Sequence, residues 1–119
     1  MKITGIVTAG LGEGVVYVEK YNTLFFEKLG FSCFPGTLNL KVVTMPTLPF
    51  DKKITIVPGD KGLFPVDCYK VRIGKEGIEG AVVLPHKTRH KNIVEIISAQ
   101  NLRKALNLHD RDEVVCESV

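Results

Sequence analysis

The segment Pro35-Gly36-Thr37-Leu38-Asn39-Leu40-Lys41-Val42 alternates apolar and polar residues, with Leu38, Leu40 and Val42 set against Thr37, Asn39 and Lys41. A period of two is the signature of a strand with one face buried and the other free to do something else. Working outward, similar Val- and Ile-rich runs separated by Gly, Pro and Asp turns fall at 2–7, 15–18, 37–43, 53–57, 65–73, 80–84, 93–97 and 113–117. Strands this short and this frequent point to a mainly β fold, a small closed six-stranded β-barrel. Two short helices are expected to interrupt it. One is at 23–29, where Leu24, Phe25, Lys28 and Leu29 have helical spacing and Gly30 supplies a C-cap; the other is at 99–106, where Leu102, Ala105 and Leu106 share a face. A turn through His109-Asp110-Arg111-Asp112 then leads into the last strand.

The chain has 119 residues with no repeat, linker or break in composition, so one domain, 1–119, is expected. The formal charge of +3 suits anionic small molecules and is too small to indicate a nucleic-acid binder. No apolar run is long enough to span a bilayer, and the amino terminus lacks a secretory h-region; a cytoplasmic protein without membrane contact is expected. Cys33, Cys68 and Cys116 are odd in number and widely spaced, which predicts buried thiols rather than disulfides or zinc ligands.

Four features carry possible chemistry. Gly10-Leu11-Gly12-Glu13-Gly14 follows the first strand and precedes Val15-Val16-Tyr17-Val18, which reads as another strand; P-loops and dinucleotide fingerprints both need a helix there. Its glycines allow close backbone approach and a nest of N–H groups for phosphate, although taken alone the motif reads more simply as a hairpin turn. Thr37 and Asn39 share a strand face, with Cα atoms about 7 Å apart. Two neutral oxygens cannot cage magnesium, but they can complete the shell of a Mg2+ that arrives with a nucleotide; solvent-facing strand residues would look the same. Glu95 sits in Ile93-Val94-Glu95-Ile96-Ile97, where burial would raise its pKa and suit it to take a proton from an alcohol, unless it escapes to water at a barrel rim. The run His86-Lys87-Thr88-Arg89-His90-Lys91 reads chiefly as a solvated loop, and its two histidines lack the company of a zinc site.

In order and spacing, Gly10-Leu11-Gly12-Glu13-Gly14, Leu29-Gly30-Phe31, Pro35-Gly36-Thr37-Leu38-Asn39-Leu40, Gly80-Ala81-Val82-Val83 with Pro85 and Thr88, and Leu102-Arg103 together resemble the archaeal CTP-dependent riboflavin kinases over nearly the whole chain. The resemblance implies a cradle-loop (RIFT-like) barrel that transfers the γ-phosphoryl group of CTP to the 5′-hydroxyl of riboflavin, giving CDP and FMN. It further implies that Leu11, Gly12, Glu13, Gly14, Val15 and Val16 line the nucleotide and that Thr37 and Asn39 bind Mg2+. By the same resemblance Thr88 and Glu95 hold the flavin side, with Glu95 orienting or deprotonating the hydroxyl. Gln100, Asn101, Leu102, Arg103, Lys104 and Ala105 would close over the cytidine nucleotide. Val15 stands where the family favours a basic residue, which leaves phosphate contacts there to the backbone. Some relatives carry an amino-terminal DNA-binding domain; this chain is expected to be a monomeric kinase domain without one. The alternatives are a non-catalytic barrel acting as a nucleic-acid-binding regulator, or a kinase of the same barrel that uses ATP or another alcohol.

Overall fold

The structure is a computed structural model that describes residues 2–10, 14–44, 47–48, 52–59, 63–85 and 92–119. Its elements are β1 (Lys2–Thr8), α1 (Gly14–Leu29), β2 (Leu38–Lys41), β3 (Ile54–Ile56), β4 (Val66–Ile73), β5 (Ile78–Pro85), β6 (Ile93–Ser98), α2 (Leu102–Ala105) and β7 (Glu113–Ser118). The strands lie in the order β3-β4-β5-β6-β2-β1-β7, and β7 pairs back onto β4. Six strands thus close into an antiparallel barrel, as the alternation predicts. Closure is possible because β4 divides its length: Val66, Asp67 and Cys68 pair with β3, and Val71, Arg72 and Ile73 pair with β7. The short β3 lies outside the closed ring.

Two apolar clusters hold the fold. Inside the barrel lie Val7, Leu38, Leu40, Val71, Val82, Val94, Ile96 and Val114, all nearly inaccessible to solvent. The second cluster lies on the outside, where Val18, Tyr21, Phe25 and Leu29 of α1 cover Ile56, Val66, Cys68, Ala81, Val83 and Ile97. The strands under α1 are therefore buried on both faces, which explains why Ala81-Val82-Val83-Leu84 is apolar without alternation.

This packing also explains where the structure departs from the sequence reading. Residues 15–18 are helical, not a strand, and the expected short helix at 23–29 is the second half of a 16-residue one. Val15, Val16 and Val18 have the β-branching of a strand, but Val18, Tyr21, Phe25 and Leu29 recur at three- and four-residue spacing, and burying that stripe on the barrel outweighs local preference. Gly30 ends the helix with φ +85° and its N–H on the Phe26 carbonyl, as expected. The second helix is shorter than 99–106 because Asn101 caps it, its Oδ1 accepting from Lys104 N. Among the described residues no helix is long and apolar enough to cross a membrane.

All three cysteines are free and buried. Burial pushes the Cys33 thiol up to about 11 from its ordinary 9.0, and the Cys68 and Cys116 thiols up to about 12; Asp67 and Cys33 add to the effect at Cys68. The fold thus favours the neutral thiol. That contribution is complete below pH 9, where the unfolded chain also keeps its thiol protons, and is lost as pH rises from 9 toward 12. Each thiol should lower unfolding free energy by up to about 1.4 kcal/mol per pH unit in that window. Urea unfolding at pH 8 and pH 10.5 should show a lower midpoint at the higher pH, with a smaller drop in Cys68→Ala; equal drops in the two proteins would refute this.

Candidate active site

The site begins with strand register. In the β2–β6 pair Asn39 lies opposite Glu95, and in the β1–β2 pair it lies opposite Thr8. Residues opposite one another share a sheet face, so Asn39 is flanked by the end of β1 and by the middle of β6. Thr37, two residues earlier, projects to the same side: its Oγ1 is 3.2 Å from Asn39 Oδ1 and 3.5 Å from Glu95 Oε1. Asn39 is only 8% exposed, whereas Thr37 and Glu95 are half-buried. Two acceptor oxygens thus converge on a hydroxyl that has one hydrogen to give.

The glycine-rich segment lies directly against this cluster. A Cβ on Gly10 would overlap the side-chain amide of Asn39; one on Gly14 would lie 2.8 Å from Thr37 Oγ1 and 3.1 Å from Thr37 N. Only glycine permits this approach, so the two motifs that stand 21 residues or more apart in sequence form one wall. The hairpin expected at this point is absent. The chain enters α1 at Gly14, and its first turn contains no acidic side chain. The positive end of a four-turn helix therefore opens beside Thr37, and among the described residues of its first turn no carboxylate offsets it. Such an end attracts anions, and phosphate above all. The order strand, glycine-rich segment, helix is that of a P-loop, but the sheet is antiparallel and Gly14-Val15-Val16 lacks the Lys-Ser/Thr pair.

Next to this cluster is a cavity of about 230 Å3, lined among others by Phe34, Thr37, Gln100, Asn101, Leu102 and Arg103. It is smaller than the roughly 300–1,000 Å3 of sites that enclose a drug-sized ligand, so it suits one ring or one anionic group of a larger molecule. Thr37 belongs to both the oxygen cluster and the cavity, which joins them. Lys104 and Ala105 are exposed on α2 and do not line it, while Leu102 extends into the barrel core. Val15 and Val16 are 45% and 52% exposed on the first turn of α1, an apolar surface at the mouth of the site. Leu11, Gly12, Glu13 and Thr88, and with Thr88 the basic run at 86–91, lie outside the described residues.

The donor set fits a hard cation with a preference for oxygen: two neutral oxygens and a neighbouring carboxylate, short of a complete cage. Among the described residues no three His, Cys, Asp or Glu side chains come together as a metal site, so the cluster suits an ion that brings other ligands with it. Sequence reasoning named Thr37, Asn39, Glu95 and Gly14. It missed Phe34 and Asp110; Asp110 accepts a 2.8 Å hydrogen bond from Arg103 and carries no motif that would single it out.

Fold and site together define a small antiparallel barrel with a helix N-terminus set beside an oxygen-rich cluster. The family model of the CTP-dependent riboflavin kinases, described as domain of unknown function DUF120, matches residues 7–117, and the chain belongs to that family. Similar proteins include the riboflavin kinases of Pyrococcus abyssi and Thermococcus kodakarensis, each 45% identical over 98% of this chain and 58% of the relative. That of Pyrobaculum aerophilum is 41% identical over 98% of this chain and 60% of the relative. The chain therefore spans about 58–60% of the length of these relatives.

Proposed function

We propose that the protein is a riboflavin kinase that uses CTP, transferring its γ-phosphoryl group to the 5′-hydroxyl of riboflavin to give FMN and CDP. The observation that carries this reading is the contact of Gly10 and Gly14 with Asn39 and Thr37, which brings a phosphate-attracting helix end, a pair of oxygen ligands and the Glu95 carboxylate to one point. Phosphoryl transfer requires alignment of donor and acceptor and neutralisation of charge on the transferred group, and it demands little covalent chemistry from the protein. The N–H groups at the start of α1 hold the nucleotide phosphates. Thr37 and Asn39 receive the Mg2+ that comes with the nucleotide, and when bound that ion supplies charge neutralisation at the phosphoryl oxygens. Glu95 orients the ribityl hydroxyl and takes its proton, and Thr88 supports the flavin side. Gln100 to Arg103 enclose part of the cytidine nucleotide.

Riboflavin as acceptor follows the names of the relatives, and CTP follows the family description alone. Membership in a kinase family favours an enzyme over the DNA-binding alternative. The test is to incubate the chain with riboflavin, Mg2+ and each of CTP, ATP, GTP and UTP. FMN should form fastest with CTP. A faster rate with ATP would retain the kinase and overturn the donor.

A further inference from the structure

Of the described residues that line the 230 Å3 cavity, Arg103 is the only one with a formal charge. Its NH2 group donates to Asp110 Oδ1 at 2.8 Å and to the Thr8 carbonyl at 3.4 Å. A guanidinium has five N–H donors in a planar fork. These two bonds occupy both hydrogens of NH2, and among the described residues NH1 and Nε have no partner. One end of the fork is therefore anchored and the other is left for a ligand. Asp110 lies outside the cavity lining, so the carboxylate that partners Arg103 does not itself face the cavity as a lining group.

As a stability device the pair makes little sense. The two side chains are 41% and 60% exposed, and exposed ion pairs contribute little to folding. Yet the turn that presents Asp110 is firmly built. Arg111 N donates to the Val7 carbonyl and Val7 N to the Asp112 carbonyl, both at 2.8 Å; Leu108 N donates to the Arg103 carbonyl, also at 2.8 Å. The turn is bracketed by Asn107 and Arg111 with φ of +51° and +78°. A left-handed arginine is unfavourable and persists where the surroundings over-determine it, as happens at functional sites. The Thr8 carbonyl that takes the second bond ends β1, two residues before Gly10. Arg103 is thus tied to the strand that delivers the glycine-rich segment.

We propose that Asp110 is a positioning residue: it holds the Arg103 guanidinium by its NH2 group so that NH1 can donate to a phosphate of the bound nucleotide. A planar guanidinium aims the hydrogens of one amino group at a phosphate only when its rotation is fixed. Asp110 and Thr8, neither of which lines the cavity, fix it through NH2. The inference rests on the nucleotide-binding reading above and adds the residue that makes Arg103 effective.

Calorimetric binding of CDP with Mg2+ to the full chain tests it, independently of turnover. Asp110→Asn should weaken CDP about tenfold, the loss of one well-oriented charge-assisted contact, with riboflavin affinity and melting temperature nearly unchanged. Asp110→Glu should recover most of the affinity. Arg103→Gln should weaken CDP at least as much, and the double variant should be no weaker than Arg103→Gln alone, because Asp110 acts only through Arg103. Wild-type affinity in Asp110→Asn, or additive losses in the double variant, would overturn the inference alone. A wild-type chain that binds no nucleotide would overturn the reading on which it rests as well.

Discussion

Glu95→Gln is expected to lower kcat for riboflavin phosphorylation by about 10²-fold or more while changing KM for riboflavin little, the signature of a lost proton acceptor. The substitution is chosen for what it keeps. Glutamine has the same length, and its Oε1 can still accept from Thr37 Oγ1, which stands 3.5 Å from Glu95 Oε1. The cross-strand pairing with Asn39 is set by backbone and is unaffected. What disappears is the negative charge and the ability to take a proton from the attacking hydroxyl. A large rise in KM with kcat unchanged would make Glu95 a binding group for the ribityl chain and remove the base from the mechanism.

Gly14→Ala is expected to remove most turnover, by about tenfold, in a chain that still folds. Alanine suits a helix interior better than glycine by up to about 1 kcal/mol, and a part of that at the first helical position offsets the tight contact with Thr37, so the chain should still fold. The added methyl, however, would lie 2.8 Å from Thr37 Oγ1 and 3.1 Å from Thr37 N. The second of these is backbone and cannot swing aside, so Thr37 or the start of α1 must shift. The shift needed is a few tenths of an ångström, and since about 1 Å costs roughly 10²-fold in a reaction that depends on alignment, a loss of about tenfold is the scale expected. Asn39→Ala should reach a similar loss by removing an oxygen from the same cluster. Full activity in Gly14→Ala would mean that the contact between helix start and oxygen cluster has no part in the chemistry.

Both effects depend on contacts the amino-acid sequence only half discloses. Period two put Thr37 and Asn39 on one face, and the apolar neighbours of Glu95 marked it as costly to bury. Nothing in the chain says that β2 pairs with β6 in the register that sets Asn39 against Glu95, since register depends on how the whole barrel closes. The strand pattern was legible because most strands bury one face or two. The start of α1 was not, because three β-branched valines imitate a strand and the helical stripe from Val18 to Leu29 gains its meaning only from the barrel surface it covers. That error concealed the helix N-terminus, the strongest physical reason to expect phosphate. The partnership of Arg103 and Asp110 was invisible for a different cause: it joins a short helix to a turn with no recognisable motif.

The most direct measurement is formation of FMN by this 119-residue chain from riboflavin, CTP and Mg2+, followed by chromatography with and without a chelator. FMN and CDP should appear in equal amounts and cease when the metal is removed. No FMN with any nucleotide, from a chain shown to be folded, would contradict the account.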